Sequence, residues 1–442
     1  MNTSARHFPH PAIRSAFALG LASGLLLTGC GAKATSAVTT PTPTPAPTPT
    51  PASSCSTPAV TITHTATAAN SPQLVILDKN KYPLALCNDG TAAAYVLRPG
   101  AGAAANRWLI SLQGGGECYD QASCSSRAAT MPTLVSSASY QANPSSAFGQ
   151  AGLLSPTASS NPDFYDASTV QVLYCSSDDW SGAKSSSTTY SPSDPTTWNF
   201  QGRAILDAVI ADLSASHAFA SATEVMLTGQ SAGGVGTFAN ANPVAKLVPS
   251  TARFVAYSDA GFGNGVDNFL ATAPPPNYID TVSTPNQIAK RAPALPLWNG
   301  TGDPVCAAAS PSDVNSQINC YSGQTLLAAN GTISLPMLVS VSQEDTNQLG
   351  TAGIPNADIT SGNLSAAETG YIAYFASNLK TNLEATNANV SLFSPDFFVH
   401  VEATDPAYFN SPVTFPNGSI TLQQEVGAWY KAPCSVQRNI AN

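Results

Sequence analysis

Five short apolar runs, each breaking off into a glycine-rich or acidic turn, restrict the folds open to this chain of 442 residues. Trp108-Leu109-Ile110-Ser111-Leu112 runs into Gln113-Gly114-Gly115-Gly116, and Val170-Gln171-Val172-Leu173-Tyr174 into Cys175-Ser176-Ser177-Asp178-Asp179. Glu224-Val225-Met226-Leu227-Thr228 runs into Gly229, Phe254-Val255-Ala256-Tyr257 into Ser258-Asp259-Ala260-Gly261, and Pro336 to Val341 into Ser342-Gln343-Glu344-Asp345. Continuous apolar runs of this length suit strands buried on both faces, as in a parallel sheet. Between the second and third, Ile205, Val209 and Leu213 recur at i, i+4 and i+8, the stripe of a helix. Strands alternating with helices predict an α/β fold with a mostly parallel central sheet flanked by helices. In such sheets function gathers at the carboxyl ends of the strands, where these turns fall.

The first 54 residues read as export and tethering. Arg6 and Arg14 supply a positive start, and Ser15 to Leu27 is an apolar stretch of signal-peptide length, short for a membrane span. It ends Leu27-Thr28-Gly29-Cys30. That ending resembles the bacterial lipobox, in which the Cys is lipidated and becomes the new N-terminus. Gly31 stands where an Asp would retain such a protein at the inner membrane, so the expectation is export and anchoring at the outer membrane through Cys30. The alternative is a conventional signal peptide with an incidental Cys. Residues 31–54 read as a linker, since prolines alternate from Pro41 to Pro51 and favour an extended polyproline II chain. Residues 55–442 show no repeat and no second linker and are expected to form one domain.

Net charge is −9, with 17 Lys and Arg against 26 Asp and Glu. Hydrophobic residues make up 43%, which excludes wholesale disorder, and the scarcity of cations argues against a nucleic-acid partner. Nine cysteines are present; with Cys30 assigned to lipid, the other eight (55, 87, 118, 124, 175, 306, 320 and 434) can form four disulfides in an oxidising compartment. Spacing alone leaves their pairing open, and only Cys118 and Cys124 suggest a local loop. The absence of Cys-x-x-Cys and of neighbouring His gives little support to zinc, and no metal or organic cofactor is expected.

The chemistry centres on Gly229-Gln230-Ser231-Ala232-Gly233, a G-x-S-x-G motif with a strand before it and a helix-forming stretch after it. The pattern alone is common, and a glycine-rich turn carrying a solvated Ser is the alternative. A Ser hydroxyl needs a neighbouring base to act as a nucleophile. Beyond residue 30 the histidines are His64, His217 and His400. His64 follows the linker, and His217 ends the helix before the nucleophile strand, away from that strand's carboxyl end. His400, downstream of Phe397-Phe398-Val399, is the candidate base. The acid belongs between Ser and His in the order of an α/β-hydrolase. Asp345 follows the strongest late strand, and Asp303, before Pro304, is its rival; an Asp there also suits a turn. Amides of Gly114-Gly115-Gly116, with that of Ala232, suit an oxyanion hole.

Taken with Leu86-Cys87-Asn88-Asp89-Gly90-Thr91, Leu112 to Cys118, Tyr174 to Gly182, Asn199-Phe200-Gln201-Gly202-Arg203, Asp259-Ala260-Gly261-Phe262, Glu344 to Leu349 and Val399-His400, this set resembles the pectin acetylesterase family, which includes the Notum carboxylesterases. The matching pieces span about 75–405 in the family's order. The resemblance implies an α/β-hydrolase-like fold, a Ser231, Asp345 and His400 triad with Asp345 preferred over Asp303, and an oxyanion hole from Gly115, Gly116 and Ala232. It also implies disulfides Cys118–Cys124, Cys87–Cys175 and Cys306–Cys320, which leaves Cys55 and Cys434. The chain departs from the family at Glu117, where Trp is usual, at Asn347, where an aromatic is usual, and at Val401-Glu402 after the His. The expected activity is that of an exported serine carboxylesterase removing O-acetyl groups from an extracellular polysaccharide. Two alternatives stand beside it: a hydrolase of longer acyl chains or polyesters, and a non-catalytic, glycan-binding surface module.

Overall fold

In the computed structural model the described residues are 55–64, 70–191, 194–266, 268–272, 279–280 and 286–441. The expected signal peptide, Cys30 and the proline tract lie outside them. The main sheet is built from β1 (Gln73–Ile76), β2 (Ala94–Arg98), β3 (Arg107–Leu112), β4 (Ser168–Val172), β5 (Glu224–Gln230), β6 (Arg253–Asp259), β7 (Met337–Ser340), β8 (Val390–Ser394) and β9 (Arg438–Ile440). Its spatial order is β1-β2-β4-β3-β5-β6-β7-β8-β9. From β4 to β9 neighbouring strands run parallel; β1 and β2 add an antiparallel edge. The five strands expected from sequence are β3 to β7.

Alternation along these strands feeds two cores. Trp108, Ile110 and Leu112 of β3, with Val225 and Leu227 of β5, face one side. Leu109 and Met226, between them in sequence, face the other. On the first side lies the helix Gly202–Ser216, whose Ile205, Val209 and Leu213 are buried in that same core. On the second side Leu422, Val426 and Trp429 of the helix Leu422–Lys431 pack on Val255, Leu338 and Phe393. Burial on both faces explains why the central strands read as unbroken apolar runs.

The chain enters the parallel part of the sheet at β3, lays β4 on one side, then crosses to place β5 on the other. A crevice opens at such a switch point, outside the carboxyl ends of the two strands. Gly114-Gly115-Gly116 leaves β3 there, and Ser231 leaves β5 there. Four disulfides staple the chain: Cys55–Cys434, Cys87–Cys175, Cys118–Cys124 and Cys306–Cys320. They agree with the pairing that the family resemblance implies. Among the described residues no helix is long and apolar enough to cross a membrane.

Candidate active site

Ser231 sits between β5 and the helix α1 (Ala232–Ala245), with φ 57° and ψ −123°. A non-glycine residue is strained there, and the fold holds it by packing that only glycine permits. A Cβ on Gly229 would collide with the Gly233 carbonyl, and one on Gly233 with the Leu112 carbonyl. The Ser231 amide is tied down as well, donating to the Asp259 carbonyl at 2.9 Å. The result lifts the hydroxyl above the sheet, at the N-terminus of α1.

His400 reaches this hydroxyl from the segment after β8: its Nε2 is 2.8 Å from Ser231 Oγ. Its Nδ1 lies 2.9 Å from Asp345 Oδ2 and 3.0 Å from Oδ1. Asp345 follows β7 and caps the helix α2 (Thr346–Ala352), where its Oδ1 accepts from the amides of Asn347 and Gln348 at 2.9 and 3.0 Å. The side chain of Gln348 adds a donor at 3.3 Å to Oδ2. These donors fix the carboxylate, and the carboxylate fixes the imidazole. Burial works against protonation of His400, but Asp345, with a smaller contribution from Asp259, outweighs it and holds the group above its ordinary value.

The rival acid does something else. Asp303 caps the helix Pro304–Ala309, accepting from the Cys306 amide at 2.8 Å, and its carboxylate also takes Thr332 Oγ1 at 2.9 Å and Asn242 Nδ2 at 2.8 Å. His64 pairs with Asp166 at 3.3 Å, and His217 sits at the C-cap of Gly202–Ser216, 3.9 Å from Asp212.

Gly115 and Gly116 have φ of 140° and 69°. Their carbonyls accept from the buried Arg127, at 2.6 and 3.3 Å, which sets the orientation of the loop's peptides. Arg127 Nε in turn donates to Ser177 Oγ at 2.7 Å. Gly116 and Ala232 line the cleft together with Ser231 and His400; Gly115 is not among the residues that line it.

Much of what looks distinctive in the sequence is scaffolding for this loop. Asn88 holds Ser177 through its Oδ1 at 2.6 Å, and its amide donates to the carbonyls of Ser176 and Asn199. Asp178 accepts from Ser176 Oγ at 2.7 Å and from the Gly202 amide at 2.8 Å, which ties the acidic turn to the start of Gly202–Ser216. Its complete burial pushes it up to about 7.

Sequence reasoning singled out Asp259 only as part of a motif. In the structure its carbonyl holds the Ser231 amide, while its carboxylate accepts from the amides of Glu402 and Ala403 at 3.1 and 2.9 Å and from Ser340 Oγ at 2.7 Å. One residue therefore braces both Ser231 and the segment that carries His400. Burial pushes Asp259 up to about 6. It pushes Glu402 well above the usual carboxylate range, with the negative charges of Asp259 and Asp345 adding to the effect. Nothing in the sequence pattern marks either role, because the partners come from β7 and from beyond β8.

A strained serine at a strand-to-helix turn, at the carboxyl edge of a mostly parallel sheet with a His and an Asp in hydrogen-bonding sequence, defines an α/β-hydrolase-like protein. Comparison with known proteins narrows the class. The pectinacetylesterase family model matches residues 65–441, and the chain belongs to that family. Palmitoleoyl-protein carboxylesterase notum1a of Danio rerio is 30% identical over 319 residues, covering 71% of this chain and 58% of the relative. The chain thus spans somewhat over half the length of that relative. Pectin acetylesterase 11 of Arabidopsis thaliana is 34% identical over 179 residues, covering 40% of this chain and 42% of the plant protein. The crystal structure of the Wnt deacylase Notum from Drosophila superposes with a TM-score of 0.67 at 25% identity, over 84% of this chain and 97% of that one.

Proposed function

We propose that this protein is a serine carboxylesterase that removes O-acetyl groups from an extracellular polysaccharide. The observation that carries the reading is the continuous hydrogen-bonded line from Ser231 through His400 to Asp345 on the wall of the cleft. Ser231 Oγ attacks the ester carbonyl while His400 Nε2 takes its proton. The negative oxygen of the tetrahedral intermediate is met by amides of the Gly115-Gly116 loop and of Ala232, the latter at the positive end of α1. His400 then passes the proton to the leaving alcohol. Water, activated by the same His, releases the acid and restores Ser231. Asp345 keeps Nδ1 protonated and stabilises the imidazolium.

A second reading, a hydrolase of longer acyl chains, is favoured by the apolar part of the lining, Val235, Val266, Ile318 and Phe375. Hydrolysis of p-nitrophenyl esters from acetate to octanoate separates the two. A maximum at acetate supports the first, and one at six carbons or more supports the second. Ser231→Ala is expected to lower kcat by at least about 10⁴-fold with the fold intact. A mutant that keeps its activity, or a folded protein that binds glycans and turns over no ester, would overturn the nucleophile assignment.

The same reading places the enzyme outside the cytoplasm, where its four disulfides persist, with residues 55–442 as the catalytic domain. The lipobox-like ending at Cys30 supports tethering to the outer membrane, with residues 31–54 as spacer. Full-length protein made in a bacterial host is expected to partition into detergent, and Cys30→Ser to remain in the aqueous phase. Equal partitioning of the two sinks the anchor.

A further inference from the structure

The cleft, of about 280 Å³, carries an uneven charge. Glu117, directly after the oxyanion glycines, lines it half-buried. Asp179 lines it too, with its side chain 0% exposed. Arg291, from the helix Asn286–Trp298, spans Asp179 Oδ2 with Nη2 at 2.7 Å and Nε at 3.1 Å. The other oxygen, Asp179 Oδ1, is buried and has no hydrogen-bond partner. Among the described lining residues Arg291 is the one Lys or Arg, and its charge is committed to Asp179. In the lining itself two carboxylates face one guanidinium, and the second cation that acts on Asp179, Arg127, is turned to the Gly115 and Gly116 carbonyls and Ser177.

An unpaired carboxylate oxygen shielded from water is unfavourable until a donor reaches it. Burial pushes Asp179 up to about 6, with the guanidinium working in the opposite direction, so the group still accepts hydrogen bonds as a carboxylate at neutral pH. Burial draws Arg291 down, but Asp179 and Glu117 outweigh it and hold the guanidinium charged. A sugar hydroxyl supplies the donor that Asp179 Oδ1 lacks. A uronate carboxylate does not: it would shed its water beside Glu117 and Asp179, while the one guanidinium among the described lining residues is paired with Asp179 and that of Arg127 is turned to the glycine-loop carbonyls, which sets a penalty against that substrate. An alkyl chain in the same place leaves Asp179 Oδ1 unpaired.

We infer that the cleft selects acetyl esters of uncharged sugars over acetyl esters of uronates, with Asp179 Oδ1 as acceptor for a sugar hydroxyl and Glu117 as the group that repels a carboxylate. The inference rests on the esterase reading above and names the alcohol part of its substrate.

The test uses the full chain and three matched probes: an O-acetylated methyl glucoside, the corresponding methyl glucuronide with a free carboxylate, and the methyl ester of that glucuronide. p-Nitrophenyl acetate reports the esterase activity itself. The expected kcat/KM for the free glucuronide is about tenfold or more below that for the glucoside, and esterifying the carboxylate restores it to within about threefold. Glu117→Gln is expected to shrink the gap by about threefold or more, and Asp179→Asn to raise KM for the glucoside well beyond any change for p-nitrophenyl acetate. Should Asp179→Asn fail to fold, the probe series and Glu117→Gln still decide. A glucuronide cleaved as well as the glucoside, a gap that survives esterification, or turnover of p-nitrophenyl acetate with neither glycoside cleaved overturns the selectivity. Failure to hydrolyse any ester, p-nitrophenyl acetate included, overturns the esterase reading beneath it.

Discussion

The two edges of the central sheet treat charge in opposite ways. At the amino edge, Arg107, Glu224 and Arg253 open β3, β5 and β6 side by side, and opposite signs meet. Arg107 pairs with Asp166 at 2.8 Å, and Arg253 with Glu224 at 3.0 Å while lying over the Tyr430 ring. At the carboxyl edge acids predominate. Burial pushes Asp178 up to about 7 and Asp259 up to about 6, and both are held by hydroxyls and backbone amides instead of by a cation. Backbone strain is heavier at the same edge, with positive φ at Ser177, Asp179, Trp180, Ser231 and Ala260, against Ala218 near the amino edge. Matched charges on a mostly unstrained backbone are a device for stability. Unmatched acids held by dipoles, on a strained backbone, are what a site needs to orient a base and raise its proton affinity.

The comparison breaks first at Asp345. Asp345→Asn keeps the cap of α2 but removes the charge that orients and stabilises imidazolium, and a fall in kcat of about 10⁴-fold is expected. Asp303→Asn, at the rival position, is expected to lower stability by about 1 kcal/mol through its weakened helix cap and leave kcat unchanged. Steady-state kinetics beside thermal melts reads both. The reverse pattern would move the acid to Asp303.

At the amino edge the expectation is inverted. Arg107→Met removes the guanidinium that pairs with the buried carboxylate of Asp166, which also contacts His64 at 3.3 Å. Removing one partner of a buried pair costs about 3–5 kcal/mol. A clear drop in melting temperature is expected, with kcat at ambient temperature unchanged. A drop in kcat without a drop in stability would mean that the two edges are not separable in this way.

This division also marks how far the sequence could be read. β3 to β7 were legible because burial on both faces leaves unbroken apolar runs, and each turn after them carried its chemistry in plain view. His400 was reachable by elimination, since beyond residue 30 the chain has two other histidines and both fall away from the strand ends. β1, β2, β8 and β9 were not singled out. β1 is only partly buried, β9 spans three residues, and the short apolar runs of β2 and β8 are broken by Arg98 and by Ser391 and Ser394. The hydrogen bonds of Asp259 and the pairing of Asp179 with Arg291 stayed invisible for a different reason. Each joins segments brought together only by the fold, more than a hundred residues apart in the second case. The Tyr174 to Gly182 block was conspicuous, yet much of what it does is to hold the Gly114-Gly115-Gly116 loop.

The smallest expected effect tests whether the dipole-held acids act on the base or only brace it. Asp259→Asn keeps an oxygen for the Glu402 and Ala403 amides, and Ser340 can turn its hydroxyl to accept, so the brace largely survives while the charge goes. The groups that act on His400 are Ser231 and the carboxylates of Asp345 and Asp259. His400 must be neutral to take the proton of Ser231, so activity rises with pH through its titration. Because His400 is held above its ordinary value of about 6.5, the acid limb of the wild-type pH profile should lie above that pH. Asp259 titrates nearby, at about 6, so the limb belongs to the coupled pair. Removing the Asp259 charge disfavours imidazolium, lowers the His400 value and moves the limb toward lower pH, with kcat on the plateau reduced by about tenfold or less. A purely structural role predicts the loss of kcat with the limb unmoved. A limb displaced to higher pH would mean that the Asp259 charge is not what raises the proton affinity of His400.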